Sequence, residues 1–265
     1  MKRLFALLRA TRAAVRASLM IALAYPASIL AEFVGAIAHI AGAVAPLFFV
    51  YHYREGIAGW NRDEGLLVLG AFVLLEGLVG AVVEPNLRAI VEHVRLGTLD
   101  FVLLKPIDAQ WFVSIQRTAP ARLPDALAGA ALLVFAASRL PTPPGALSVL
   151  LCVLLLASGF LIIHALWMFV ASLSFFFVRV DNLSWLIRAL LDAGRWPLPF
   201  YRGGVRVLFT VVLPVGLMTT WPAEALRGSL APTAVAQALL TAGTYTLLAR
   251  LAWVAALRHY SSASS

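Results

Sequence analysis

Four polar side chains lie inside long apolar stretches of the sequence: Glu32, His39, Glu76 and His164. A charge at the centre of a bilayer costs about 2.5–3.5 kcal/mol on insertion scales, so these residues need a partner or a polar cavity. Glu32 and His39 are seven residues apart, which places them on one face of a helix. Such side chains can line a translocation path or exchange protons, or they can join neighbouring helices by hydrogen bonds. Both interpretations stay open at this point.

The stretch 92–106, EHVRLGTLDFVLLKP, is the other place where chemistry or recognition is expected. It is the most polar interval between two strongly apolar regions, and it carries Lys105, the one lysine outside the N-terminus. A chain this apolar is not expected to leave such a segment in the bilayer. We therefore predict a compact docking element at the membrane face, through which another component acts on the protein.

The motifs of a self-sufficient enzyme are missing from the sequence. Neither Lys2 nor Lys105 follows a glycine-rich turn, so there is no P-loop, and there is no HExxH helix or GxSxG elbow. The five histidines are not grouped with carboxylates at metal-ligand spacing, and the single Cys152 excludes a disulfide framework or a cysteine-rich metal site. We expect a chain without catalytic residues, metal or cofactor of its own, and without ATP hydrolysis by a P-loop route.

The composition indicates how these residues are positioned. Hydrophobic residues make up 62% and charged residues 13% of the chain, against about 45–50% and about 25% in soluble domains. The long unbroken apolar runs favour membrane-spanning helices over a barrel, whose strands alternate in hydrophobicity. In such a protein the net charge of +8 indicates Lys and Arg held in cytoplasmic loops, rather than a nucleic-acid partner.

The predicted fold is an all-α integral membrane protein with a single transmembrane domain over 1–265. Its six spans are predicted at 27–51, 64–84, 122–139, 147–176, 204–220 and 233–256. The second span is expected to end at the sequence EPN of residues 84–86, because proline opposes the continuation of a helix. A second surface helix is predicted at 181–194, and residues 221–232 are expected to form a turn, with a short helix or a re-entrant hairpin.

The N-terminal segment 1–20 is predicted to be an interfacial helix rather than a cleavable signal. Over residues 2–18, Lys2, Arg9, Arg12 and Arg16 fall on roughly one helical face, with leucine and valine opposite, which suits anionic lipid headgroups. The first span is rich in small residues, which favour close packing with other helices of the same chain or of another subunit. Those small residues are Gly35, Ala36, Ala38, Ala41, Gly42 and Ala43.

Basic residues orient the six predicted spans. An even number of spans puts both termini on one side of the membrane. Seventeen of the 21 lysines and arginines then fall on the side of the termini, and four fall on the other: Arg54, Arg62, Arg139 and Arg227. The positive-inside rule therefore predicts cytoplasmic termini.

Two sequence runs follow recognisable motifs. Residues 94–106, VRLGTLDFVLLKP, fit the motif R-x-G-x-L-D-x-x-L-L-[KR]-P. Residues 196–228 fit the run P-x-x-x-[YF]…L-T…P…Y-P-A-x-x-L-x-G, except that Trp221 stands where a tyrosine is common. With these motifs the chain resembles the ABC type-2 permease family, and more narrowly its bacterial six-span subfamily of drug or viologen exporter permeases. Span number, chain length and motif order agree, so the resemblance covers nearly the whole chain.

This resemblance implies a transport subunit of an ABC exporter in a bacterial inner membrane, working by alternating access. Its coupling helix would lie within 88–105 and dock on a separate ATPase subunit, which binds the ATP and Mg²⁺. The candidate coupling contacts are Glu92, Arg95, Gly97, Asp100 and Lys105, and the candidate translocation path contains Glu32, His39, Glu76 and His164. The expected partners are the ATPase, a second permease subunit (identical or related) and membrane lipids, without nucleic acid. The N-terminal helix would match the family's interfacial connecting helix, and 221–232 its extracellular re-entrant element.

Two other functions remain as alternatives at the level of sequence. One is an integral-membrane enzyme acting on lipid, with Glu32, His39 and Asp125 as acid–base groups, although no known catalytic constellation is present. The other is a channel or an ion-driven secondary transporter using Glu32, Glu76 and His164, although no inverted repeat is visible. Neither the sequence nor the resemblance identifies the substrate, because function resides in sites and not in folds.

Overall fold

The structure, a computed structural model, describes residues 11–13, 15–20, 23–24, 26–54, 56–177, 185 and 188–260. These residues form helices and turns, and no β-strand occurs among them. Five helices are long and apolar enough to cross a membrane, or six if one bent pair counts as a single span. The predicted all-α membrane fold is thereby confirmed. Residues 11–13 and 15–20 are helical, but the rest of the predicted N-terminal helix, and much of the predicted surface helix at 181–194, lie outside the described residues.

The helices are numbered in chain order. They are α1 (Pro26–His52), α2 (Arg62–Leu78), α3 (Glu84–Arg95), α4 (Asp100–Leu103), α5 (Ala109–Ile115), α6 (Leu123–Ser138), α7 (Ala146–Leu173), α8 (Gly203–Val207), α9 (Trp221–Leu226) and α10 (Ala234–Leu257). Short 3₁₀ turns lie at Pro120–Arg122, Asp192–Arg195 and Leu198–Phe200, and π turns lie at Val79–Val83, Leu208–Val212 and Gly216–Thr220.

Helix α2 forms the centre of the bundle and packs most closely on α6. Asn61 and Glu64 start it with a capping box, in which each side chain accepts a hydrogen bond from the other's backbone N–H at 2.9 Å. Three glycines lie on the contact with α6. A Cβ added at Gly77 would lie 2.2 Å from the backbone nitrogen of Ala126, and the corresponding contacts of Gly70 and Gly129 are also with backbone atoms. The two backbones are therefore as close as small residues permit.

The helix of the predicted second span does not end at the EPN sequence, but continues through a π turn into α3. Together Arg62–Arg95 make a 34-residue helical segment, about 51 Å long at 1.5 Å per residue. Pro85 lacks an N–H, and the carbonyl of Ala81 four residues before it instead accepts a hydrogen bond from the backbone N–H of Ala119, at 2.7 Å. This segment is therefore longer than the bilayer core, which is about 30 Å thick.

Asn86 ties this continuation to the segment before α6. Its amide nitrogen donates to the carbonyls of Val82 and Arg117, both at 2.6 Å, and its amide oxygen accepts from the N–H of Arg117 at 2.8 Å. The residue is only 2% exposed. One side chain therefore satisfies three backbone groups around the π turn.

Replacing Asn86 with alanine is expected to destabilise the fold by about 2–4 kcal/mol, because buried backbone groups would lose their partners. Asn86→Asp should be destabilised less than Asn86→Ala, since aspartate keeps the acceptor for the N–H of Arg117 and loses the two donors. Thermal unfolding in detergent would measure this, with Thr210→Ala as control, whose hydroxyl bonds an exposed helical carbonyl. Equal melting temperatures for Asn86→Ala and the control would contradict the stabilising role of the Asn86 hydrogen bonds.

The predicted fifth span, 204–220, is broken in the structure. Gly203–Val212 and Gly216–Leu226 are two helical pieces that meet at an angle of 72°. Pro214 explains the break: it cannot continue the helical hydrogen bonds, and it disfavours helical backbone at Leu213, which has φ −127° and ψ 89°. The second piece runs on through Trp221 to Leu226, so the predicted turn region 221–232 begins with a short helix.

Candidate functional site

A cluster of charged side chains lies between α1, α2 and α6, inside the apolar bundle. His39 of α1 lies between two carboxylates: its Nε2 is 3.5 Å from Oε2 of Glu76 in α2, and its Nδ1 is 3.9 Å from Oδ1 of Asp125 in α6. Arg122 lies 3.5 Å from the other oxygen of Asp125. Three helices thus contribute one titratable group each, and each group has a polar neighbour in surroundings where an isolated charge is costly.

This cluster lines a cavity of about 280 Å³, which we call the acidic cavity. Its lining residues are Glu32, Gly35, Ala36, His39, Glu76, Gly80, Glu84, Arg122, Asp125 and Arg188. Glu32 and His39 share one face of α1, as their spacing predicted. Glu84 forms an ion pair with Arg188 at one end of the cavity. No group of three His, Cys, Asp or Glu side chains in the described ranges is placed to hold a metal ion.

The four predicted path residues divide into two places. Glu32, His39 and Glu76 line the acidic cavity. His164 lies apart, on α7, in a small void that it shares with Asn86 and Ser114. The intramembrane pattern alone could not separate these residues, because it does not show which helices are neighbours.

A second, larger cavity of about 600 Å³ opens beside α3. Its lining is Glu84, Leu87, Arg88, Val91, Glu92, Arg95, Arg122, Trp167, Trp185 and Arg188. We call it the arginine cleft, after Arg88, Arg95, Arg122 and Arg188. It shares Glu84, Arg122 and Arg188 with the acidic cavity. The two therefore adjoin, and polar side chains extend from the α3 end of the bundle towards its interior.

The chain reverses sharply after α3, and Gly97 makes the reversal possible. Gly97 has φ +64°, a left-handed conformation that glycine adopts without strain. The N–H of Thr98 bonds the carbonyl of His93 at 2.9 Å and that of Gly97 bonds Val94 at 3.3 Å, which is a Schellman helix end. The side chains of His93 and Thr98 are also in contact, Nδ1 to Oγ1, at 2.8 Å. Gly97 therefore shapes the turn and offers no side chain for contact.

Apolar side chains, rather than charged ones, dominate the exposed surface after this turn. Phe101 and Leu104 are 70% and 81% exposed. Leu96, Leu103 and Trp111 are exposed as well, and we call these five residues the apolar tip. Beneath them, Leu99, Val102 and Val113 are buried and fix the short helices α4 and α5 to the bundle.

Three of the charged residues predicted as coupling contacts are exposed: Glu92, Arg95 and Lys105. Glu92 lies 3.6 Å from Arg117, and Arg95 lines the arginine cleft. The ammonium of Lys105 lies 3.7 Å from the centre of the Phe112 ring. Asp100 opens α4 and is half-buried. This segment, residues 92–111, therefore exposes charged side chains as well as the apolar tip, although Glu92 and Lys105 also have partners within the chain.

An arginine fork joins this element to the last helix of the bundle. Arg250 of α10 bonds both carboxylate oxygens of Asp108, at 3.1 and 2.6 Å, and the side-chain oxygen of Gln110 at 2.9 Å. Asp108 also caps α5 by accepting from the N–H of Trp111 at 3.0 Å. Partial burial would raise the pKa of Asp108, but the hydrogen bonds and charge of Arg250 and the backbone hydrogen bonds hold it below its usual value.

The sequence also matches a known protein family. A sequence profile of the family described as "ABC-2 family transporter protein" matches residues 37–264, most of the chain. The chain belongs to the ABC-2 transporter family. The predicted family is thereby confirmed, and the protein is a multi-pass membrane permease subunit of an ABC transporter. No curated protein sequence and no solved structure matches the chain.

Family membership decides between the functions left open by the sequence. ABC-2 permeases are transport subunits rather than enzymes, and they work with ATP-binding subunits. The lipid-modifying enzyme and the ion-driven transporter are therefore set aside. In this permease, Glu32, His39 and Glu76 belong to a cavity of a transport domain.

Sequence inspection missed several residues that organise the permease. Phe101 and Leu104 looked like ordinary apolar residues, although their place within a polar interval could have marked them as exposed. Arg250 lies in the last span, and an arginine there could have been assigned a carboxylate partner. Its actual partner, Asp108, is 142 residues away in sequence, and no local pattern indicates such a pairing.

Proposed function

We propose that the permease is the membrane subunit of an ABC exporter, driven by a separate ATPase that docks on the apolar tip. The observation that carries this proposal is the exposure of Phe101 and Leu104 at the end of the bundle. A monomeric soluble surface seldom exposes such a patch without a partner. The 34-residue helix α2–α3 is longer than a bilayer core and ends beside this patch, so a rigid element would connect the docking face to the acidic cavity.

The proposed orientation places the apolar tip and both termini in the cytoplasm of a bacterial cell, with the protein in the inner membrane. The bias of lysine and arginine supports this orientation. Movement of the tip would shift the permease between inward-open and outward-open states, because α5 packs against α3 and the π turn Val79–Val83, and α3 packs against α7. The acidic cavity and the arginine cleft would then form part of the path.

We also propose that the permease works as a dimer, with itself or with a related permease. Helix α1 exposes most of its surface. A Cβ added at Gly35 or Gly42 would meet no atom within 4 Å in the described part of the chain. This free face of small residues suits close packing with a helix of a second subunit.

The test of ATPase docking is co-purification of the permease with an ATPase encoded beside it and carrying Walker A and signature motifs. Replacing both Phe101 and Leu104 with alanine should lower the co-purified ATPase about tenfold or more, because exposed apolar anchors supply most interface energy. The permease itself should remain folded, since both side chains are exposed.

Tyr53→Ala is the matched control, because Tyr53 is 71% exposed and lies on the opposite side in the proposed orientation. It should leave the co-purified ATPase unchanged. The proposal fails if no ATPase accompanies the unmodified permease, or if the double variant retains it at the level of the control.

A further inference from the structure

The arginine cleft has more positive charge than the bundle uses for its own ion pairs. Of its two glutamates, Glu84 pairs with Arg188 and Glu92 lies 3.6 Å from Arg117. Arg122 pairs with Asp125. Arg88 and Arg95 line the same cleft, and within the described residues neither contacts a carboxylate. The cleft therefore presents two guanidinium groups that no acidic side chain of the described chain neutralises.

The geometry of α3 directs this charge into one place. Arg88 and Arg95 are seven residues apart on one helical face, with Leu87 and Val91 beside them in the cleft lining. A guanidinium has five donors in a planar fork that matches phosphate oxygens two at a time. A volume of about 600 Å³ lies within the range of about 300–1,000 Å³ typical of ligand sites.

The surroundings of the cleft suit a lipid rather than a free anion. Trp167 and Trp185 line it, and Trp185 is 71% exposed. Tryptophan is enriched at the level of the lipid headgroups. A narrow slot of about 50 Å³ lies next to the cleft and shares Glu84, Trp167 and Arg188 with it. Its lining is mostly apolar and includes Leu75 and Val79. The slot has room for only the start of an acyl chain.

We propose that the arginine cleft binds the headgroup of an anionic phospholipid, with the phosphodiester between Arg88 and Arg95. Basic pockets between helices at the cytoplasmic membrane face bind such headgroups in other proteins. Because the cleft adjoins the acidic cavity through Glu84, Arg122 and Arg188, a bound lipid lies at the entrance of the proposed path. The orientation in the proposed function determines only which leaflet supplies the lipid.

The test measures lipid binding to the full-length purified permease, without the ATPase, by native mass spectrometry. The probes are short-chain phosphatidylglycerol, short-chain phosphatidylcholine and glycerol phosphate. Phosphatidylglycerol should bind saturably and more tightly than the other two. Arg88→Gln should weaken this binding about tenfold or more, because a charged hydrogen-bonding partner is lost. Arg88→Lys should weaken it less, since the charge is retained.

Arg54→Gln is the control, because Arg54 is exposed in a loop far from the cleft in sequence, and it should bind phosphatidylglycerol like the unmodified permease. Arg88 is itself exposed, so its replacement should leave folding intact. Equal binding of the two lipids, or unchanged binding by Arg88→Gln, would overturn the proposal. So would glycerol phosphate binding as tightly as phosphatidylglycerol, which would identify a site for a free anion. Since no ATPase is present, failure of ATPase docking cannot produce any of these results.

Discussion

Replacing Gly129 with alanine is expected to prevent the permease from folding stably in the membrane. A Cβ at this position would lie 2.2 Å from the backbone nitrogen of Leu74 and 2.7 Å from its Cα. Overpacking a core usually costs about 1–3 kcal/mol when side chains can rearrange. Here the obstacle is the backbone of α2, so α2 and α6 would have to move apart along their contact. We expect a loss of about 3 kcal/mol or more, which is a large part of the stability of a typical protein.

The same expectation holds for Gly77→Ala, whose Cβ would lie 2.2 Å from the nitrogen of Ala126. Gly243→Ala in α10 is the matched control, since nothing in the described chain lies within 4 Å of its Cβ position. Monodispersity in size-exclusion chromatography and the thermal unfolding midpoint in detergent would distinguish the variants. If Gly129→Ala and Gly243→Ala unfold at the same temperature, the close approach of α2 and α6 is wrong.

Hydrophobic runs made the helical membrane fold predictable, because a bilayer admits few other ways to satisfy a backbone. The ends of the helices and the contacts between them were harder to predict from sequence. Proline at position 85 was interpreted as a terminator, yet the helix continues because Ala119 and Asn86 satisfy the groups that the proline disturbs. Proline at position 214 does break its helix. The difference depends on neighbours distant in sequence, which a local pattern does not contain.

Small residues likewise indicated that helices pack closely, but they did not indicate which helices do so. The first span has the densest cluster of them, and close packing was expected there. The structure places the closest backbone contacts between α2 and α6, at Gly77 and Gly129, while Gly35 and Gly42 meet nothing within the described chain. Small side chains permit close approach, and the partner helix decides where it occurs. The proposed dimer gives the small residues of α1 a role that a single subunit does not.

The acidic cavity was partly predictable from sequence. The spacing of Glu32 and His39 defined one face of α1, but the contact of His39 with both Glu76 and Asp125 requires α1, α2 and α6 to be adjacent. Asp125 also lies 3.5 Å from Arg122, three residues before it in the chain. The contact with His39 connects this local pair to α1, so movement of α1 relative to α6 would change the contacts that line the cavity.

Arg250→Gln is expected to separate ATPase docking from transport. The fork between Arg250 and Asp108 is the polar connection from the start of α5 to α10. Without it, movement of the apolar tip would no longer be passed directly to α10. We expect substrate-stimulated ATP hydrolysis of the reconstituted complex to fall about tenfold, within the range of 5–150-fold typical of coupling between sites. Stimulation would be measured over a panel of lipids, cationic drugs and peptides.

Docking and folding should survive this change. Both side chains of the pair are 44% exposed, and exposed ion pairs contribute little to stability. Since the pKa of Asp108 is lowered in the folded protein, the pair is present above the ordinary carboxyl pKa and weakens as pH falls through the lowered value. Stimulation in the unmodified complex should therefore decline with acid, whereas Arg250→Gln should show less of this decline.

Arg258→Gln is the appropriate control, because Arg258 lies just beyond the end of the same helix and is exposed. It should retain both the ATPase and its stimulation. Arg250→Lys should recover part of the stimulation, since an ammonium keeps the charge but cannot bond both oxygens of Asp108 in a planar fork. Normal stimulation of ATP hydrolysis in Arg250→Gln would show that the fork does not transmit movement to α10. Loss of the ATPase from that variant would instead show that Arg250 shapes the docking face. Only a connecting role predicts a complex that stays assembled and no longer responds to substrate.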